Sequence, residues 1–285
     1  KCFDDIIESM KAKGFDKEYA VPTTPEGHLL NGSHRTAAAY VTNTTLRTTK
    51  TTDPTAGQVN CGSQFFKNLG LEKKYLDHMA LEYVKLKPNT KLITLHPARD
   101  IQKEEAVSDL IYSKVPVVYD SVIPLNKEGF TNYVSQMYFG ESWLSTPSDP
   151  IAGARLKGDL CWGQSPVRIL LIEEDSLDTL NSLKEEIRSL YSIDKSSVHI
   201  NDMYEETLRL ARVVYNPNSV DFLNVGIPNL SPKLSAELEN YRKTIEGHRL
   251  NPDLFCVTGS AVMTMFGLRE CADLDYLHYD PSHVI

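Results

Sequence analysis

The chain reads as an α/β or α+β protein, and three observations predict it. Short apolar runs of strand length alternate with longer segments whose apolar residues recur at helical spacing. Glycine, proline and asparagine punctuate the boundaries between them. With 285 residues, 41% of them hydrophobic and 24% charged, the chain is long enough for one large or two medium cores, and no apolar run approaches the ~18 residues of a membrane span.

The elements follow in order. Phe3, Ile6, Ile7 and Met10 share one helical face, and Gly14 stops that helix. Tyr19-Ala-Val and His28-Leu-Leu are expected as short strands around a turn marked by Pro22 and Pro25. A helix of good formers begins near Thr36. Residues 42–63, rich in Thr, Asn and Gly, predict a flexible loop or lid. Strands are predicted at 91–95, 115–119 and 167–172, with a helix over 129–138 and a long loop over 142–165. The segment 178–191 is amphipathic and charged, and Val198-His-Ile is a short strand. Asp202, with Glu205 three residues later, fits a capping box that opens a helix running to Tyr215. Pro217 is expected to end that helix and to start a linker reaching Pro232. A helix over 234–246, a strand at 255–258, a helix over 260–266 and a strand at 274–277 complete the chain.

Composition removes several function classes. A net charge of −8 argues against broad attraction to nucleic acid, and no helix-turn-helix pair is evident. Any anionic ligand must therefore be held by a local site. Five scattered cysteines, Cys2, Cys61, Cys161, Cys256 and Cys271, show no metal-ligand spacing and no disulfide framework. The first twenty residues are charged and lack the apolar stretch and cleavage site of a signal peptide, so a cytoplasmic protein is expected.

Two stretches carry phosphate chemistry. In the first, a short strand leads through Asn31 and Gly32 to Ser33, His34 and Arg35 at the start of a helix. Free amides and the helix dipole favour an anion there, and Gly32 lets the backbone approach it. Arg35 can grip phosphate with two parallel bonds, and His34 adds a donor or proton carrier. The simpler alternative makes Ser33 an N-cap with His34 and Arg35 solvated. In the second, Cys256-Val-Thr-Gly-Ser leads into a helix, followed by Gly267-Leu-Arg and Ala272-Asp-Leu-Asp-Tyr-Leu. Asp273 and Asp275, two apart on a strand, are expected on one face, where Mg²⁺ relieves their repulsion. Gly259 and Ser260 would cradle phosphate, and Arg269 would offset charge developing at phosphorus.

The middle region holds weaker signals. His199 is either a base facing a ligand or a strand-end residue, and Asp202 is a cap before anything else. Arg155, Lys157 and Trp162 share a stretch that suits a sugar phosphate, with Trp162 as a stacking face, or is ordinary surface charge.

The stretch from Gly27 to Ala39, with its Asn31-Gly-Ser-His-Arg turn and Ala-rich helix, resembles the ParB/sulfiredoxin superfamily over about 40 residues. In that family the turn binds nucleotide phosphates, which implies that role for Asn31, Gly32, Ser33, His34 and Arg35. Asn31 stands where the family usually has an acidic residue. The Gly259-Ser260 turn with Asp273 and Asp275 resembles the nucleotidyltransferase superfamily, including its LicD/fukutin branch. That resemblance implies a triphosphate on Gly259 and Ser260 and metal on Asp273 and Asp275. The superfamily's third carboxylate does not follow, and the ending at Val284-Ile285 reads as a truncation. The order of blocks is also similar to proteins of bacterial capsule and surface-glycan gene clusters.

The expected organisation is a ParB/sulfiredoxin-like domain over 1–140, a mixed α/β region over 141–226 and a nucleotidyltransferase-like unit over 227–285. The expected function is a Mg²⁺-dependent phosphotransferase or nucleotidyltransferase. It would use ATP or CTP on a sugar, alditol or related small molecule, with His34, Arg35, Asp273 and Asp275 in catalysis. The alternative is a non-catalytic nucleotide-binding switch or partner module of a glycan-assembly enzyme.

Overall fold

A computed structural model describes residues 2–52, 62–225 and 231–279. The chain forms a mixed α/β protein of two compact units, Lys1–Phe65 and Phe66–Ile285.

The smaller unit contains α1 (Phe3–Lys13), β1 (Val21–Thr23), α2 (Ser33–Val41) and β2 (Thr48–Lys50). Gly14 ends α1 at a φ of 71°, its amide donating to the Met10 carbonyl at 2.8 Å, as its sequence position predicts. Strands β1 and β2 pair in parallel. The strand expected at His28-Leu-Leu reduces to one bridge between Leu29 and Thr23, too short a run of pairs to count as a strand. Strand β2 lies inside the segment expected to be loop or lid, and 53–61 of that segment fall outside the described residues. Met10, Ala38 and Ala39 form the buried centre, with Ile6, Ile7, Phe15 and Leu46 against them.

The larger unit begins within α3 (Ser63–Asn68). It continues through α4 (Lys73–Leu86), β3 (Thr90–Leu95), α5 (Glu104–Lys114), β4 (Val117–Ile123), α6 (Lys127–Met137) and α7 (Ala152–Cys161). Then come β5 (Val167–Glu173), α8 (Leu177–Tyr191), β6 (Val198–Ile200), α9 (Tyr204–Val214) and α10 (Pro217–Val225). The last elements are α11 (Pro232–Gly247), β7 (Phe255–Thr258), α12 (Ser260–Met265) and β8 (Asp275–His278).

Four strands form an antiparallel sheet in the order β4-β5-β3-β6. The crossover β3-α5-β4 straddles β5, and β5-α8-β6 straddles β3. These are two split β-α-β units, the connectivity of a ferredoxin-like fold. The stretches 1–140 and 141–226 thus contribute two strands each to one sheet. Alternation along β5 explains the layering: Val167, Ile169 and Leu171 enter one core, and Leu170 and Ile172 the other. The second core packs under α5 and α8 through Val107, Ile111, Leu180, Leu183 and Ile187. The first is covered by α4, α6, α7, α9 and α10, a layer added to the simple split β-α-β plan.

Three expectations are corrected in this unit. The loop predicted over 142–165 contains α7, which buries Ala154 and Cys161 seven residues apart on one face. Its Gly158 permits close contact with α6, since a Cβ there would lie 2.6 Å from Thr131 Oγ1. Pro217 does not begin a linker; it opens α10, where a missing N–H costs nothing, and 226–230 of the expected linker lie outside the described residues. The Asp202 capping box is absent, because α9 starts at Tyr204 after Met203 and Asp202 instead pairs with Lys184 at 3.6 Å. No described helix is long and apolar enough to cross a membrane.

Candidate functional site

The segment from β7 to β8 is built around Leu234 of α11, Ala261 of α12 and Cys271, with Val257, Met265 and Leu274 packed on them. Lys233 at the start of α11 donates to the carbonyls of Cys271 (3.2 Å) and Ala272 (2.6 Å), fixing the turn that precedes β8. Strands β7 and β8 pair antiparallel with Thr258 opposite Asp275. That register brings Asp275 beside the Gly259 turn.

Gly259, Ser260, Arg269, Asp273 and Asp275 all line one cavity of about 510 Å³, together with Met263, Glu270 and Ala272. The contact between Gly259 and Asp275 is close: a Cβ at Gly259 would stand 2.5 Å from Asp275 Oδ2. Gly259 also has a φ of 67°, so glycine is required on two counts. Asp273 sits before β8 rather than on it, yet both carboxylates still reach the cavity. Arg269, Asp273 and Asp275 are exposed. Two hard oxygen donors in one cavity suit Mg²⁺, which keeps several waters and takes one or two protein carboxylates. Among the described residues no group of three or more His, Cys, Asp or Glu side chains is placed to hold a metal ion.

The other predicted turn lies in the smaller unit. Gly32, not Ser33, is the N-cap of α2, in the left-handed region at a φ of 89°, and Ser33 is the first helical residue. Asn31 turns back, its Oδ1 accepting from the Gly32 amide at 2.6 Å. The first amide paired along α2 is that of Thr36, to the Gly32 carbonyl at 2.9 Å, so those of Ser33, His34 and Arg35 have no partner within the helix. Arg35 is not extended for a ligand. Its guanidinium lies over Gly32, 3.0 Å from where a Cβ would stand, and donates to the Tyr19 carbonyl. His34 packs on Phe3 with ring centres 5.7 Å apart.

A third concave region escaped the sequence except for three of its members. His199, Lys157 and Asp202 line a cavity of about 580 Å³ with Lys184, Arg188, Lys195, Tyr138, Trp143, Glu141 and Glu206. It flanks β6, an edge strand of the sheet. Since Val198 and Ile200 point into the core under α8, alternation sends His199 the other way, against Tyr138 (5.0 Å between ring centres). His199 Nε2 lies 3.3 Å from Glu206. Burial pushes the Tyr138 phenol up to about 12, so it stays a neutral ring at ordinary pH. Burial first, and then the neighbouring His199 and Lys157, hold the His96 imidazole well below its usual value. Trp162, expected as the stacking face, packs on Phe130 at 5.9 Å; Trp143 takes the cavity position instead. Arg155 is paired with Asp149 at 3.1 Å.

No protein-family model, curated protein or solved structure matches this chain.

Proposed function

We propose that the chain is a Mg²⁺-dependent phosphotransferase or nucleotidyltransferase that uses ATP or CTP to modify a sugar, alditol or related small molecule of surface-glycan assembly. One observation carries the reading: Gly259, Ser260, Arg269, Asp273 and Asp275, separated by up to sixteen positions, converge on a single cavity. Asp273 and Asp275 would hold Mg²⁺, which when bound offsets negative charge on the phosphate oxygens. Gly259 keeps the backbone low enough for Asp275 to lie against it. Arg269 supplies positive charge from the opposite stretch of chain, and Ser260 offers a hydroxyl and an amide to a phosphate oxygen. In the smaller unit, the unpaired amides of Ser33, His34 and Arg35 are proposed to hold a second phosphate group, with Arg35 leaving the Tyr19 carbonyl to do so.

Replacing either carboxylate, Asp273→Asn or Asp275→Asn, is expected to lower metal-dependent turnover of ATP or CTP by about a hundredfold. Melting should stay unchanged, since both side chains are exposed. Product followed by phosphorus NMR checks this, and undiminished turnover in both variants refutes the assignment. A second reading, a non-catalytic nucleotide-binding module, is favoured by the exposure of Arg269, Asp273 and Asp275, which leaves water free to reach the phosphates. Metal-dependent binding without product over hours would select it.

A further inference from the structure

The cavity beside β6 has no part in the reading above, and its chemistry is different. Four cationic side chains, Lys157, Lys184, Arg188 and Lys195, face three carboxylates, Glu141, Asp202 and Glu206. Most of these charges are already paired: Lys184 with Asp202 at 3.6 Å, Glu206 with His199 at 3.3 Å, and Arg188 with Glu185 outside the cavity. Two lysines are left over. Lys157 Nζ donates to the backbone carbonyl of Lys195 at 2.7 Å, both residues line the cavity, and neither has a carboxylate partner among the described residues. Arg188 Nε is buried with no hydrogen-bond partner among the described residues. Leaving such a donor unmade is costly.

Two aromatic rings line the same cavity. Tyr138 and Trp143 meet edge to face with ring centres 4.9 Å apart, and Trp143 is 44% exposed. An exposed indole in a concavity is the kind of surface on which an apolar ring face rests. Glu141 and Asp202 offer acceptors for hydroxyl groups. A triphosphate would meet three carboxylates with only a small excess of positive charge. A phosphate monoester, carrying about −1.5 to −2 charges, suits two lysines that lack a carboxylate partner among the described residues.

We infer that this cavity is a binding site for a phosphorylated monosaccharide, its phosphate held by Lys157 and Lys195 and its ring stacked on Trp143 and Tyr138. The site is independent of the Gly259–Asp275 cavity and does not rest on the function proposed there.

The full chain carries two tryptophans, so a Trp162→Phe variant reports on Trp143 alone. Titrated with glucose 1-phosphate and glucose 6-phosphate, it should show a saturable change in indole fluorescence, matched by calorimetry on the unmodified chain. Glucose or inorganic phosphate alone should bind about tenfold more weakly, and so should the hexose phosphates to Lys157→Ala and to Lys195→Ala. Lys195 is exposed, so its variant keeps the native melting profile and its loss of binding is attributable to the site. Asp275→Asn should leave this binding intact even if it abolishes nucleotide turnover. No saturable response to either hexose phosphate, equal binding by the lysine variants, or inorganic phosphate binding as well as the sugar phosphates would each overturn the assignment.

Discussion

Gly259 concentrates the candidate site's demands in one position. Gly259→Ala adds both a left-handed backbone strain, about 1–2 kcal/mol for a residue with a Cβ, and a carbon 2.5 Å from the Asp275 carboxylate. Gly70 isolates the first effect, since at a φ of 79° it has open space where its Cβ would be. Gly70→Ala should therefore cost stability alone. Gly259→Ala should cost at least as much and also weaken metal-dependent nucleotide binding at least about tenfold, because Asp275 must move. Equal nucleotide binding by the two variants, measured by calorimetry, would show that the approach of Gly259 to Asp275 has no role. These residues were legible in sequence because they are near neighbours: sixteen positions, one turn and one hairpin register bring them together. Lys195, Trp143 and Tyr138 were not legible, because α6, α8, β6 and the turns between them have to be folded before the three share a cavity.

At the scale of elements, the sheet and its helices are tied by ions as well as by apolar packing. Arg99, almost wholly buried, donates to Glu104 at 2.7 and 3.2 Å and to the carbonyls of Leu95, His96 and Pro166. Arg168 on β5 bridges Asp120 on β4 (3.0 Å) and Glu104 on α5 (2.7 Å), and the Tyr191 hydroxyl of α8 also donates to Glu104 (3.0 Å). Burial alone would raise the Glu104 carboxyl, but hydrogen bonds from Arg99 and Arg168 outweigh it and hold the group below its ordinary value. A carboxyl depressed in the folded state stabilises the fold above the unfolded value, about 4.3, and loses that contribution as pH falls through the folded one. Glu104→Gln should thus cost about 2–3 kcal/mol at neutral pH, and the gap between the variant and the native chain should be smaller at about pH 3, below the unfolded value. Urea melts at the two pH values check this; a constant difference would assign the loss to packing instead. Sequence patterns reached β3, β5 and α11 because their apolar spacing is regular. They missed α7, whose glycines and flanking proline imitate a loop, and α10, whose first-turn proline imitates a stop.

Across the whole chain, stability should be divided as unevenly as the apolar residues are. In the larger unit, β3 is buried along its full length, and β5 feeds cores on both faces of the sheet. Among its described residues the smaller unit buries Val21 and, as one cluster, Met10, Ala38 and Ala39, two of which are methyl-sized side chains. At roughly 25 cal/mol for each Å² of apolar surface removed from water, so small a cluster offsets little of the entropy lost in ordering its chain. Its polar ties add modestly, because the Arg35 link to the Tyr19 carbonyl and strand β2 are exposed. Local opening should therefore release α1 and α2 at a free energy well below that of global unfolding, whereas the amides of β3 and β5 exchange only when the larger unit unfolds. Native-state hydrogen exchange read by mass spectrometry distinguishes the two. Protection factors in α2 at least about a hundredfold below those in β5 are expected, and equal protection would mean that something beyond these residues stabilises the smaller unit. The same measurement in the presence of ATP or CTP bears on the Asn31–Arg35 turn. A nucleotide that docks on the amides of Ser33, His34 and Arg35 must slow exchange in α2, because it binds the closed form and not the open one.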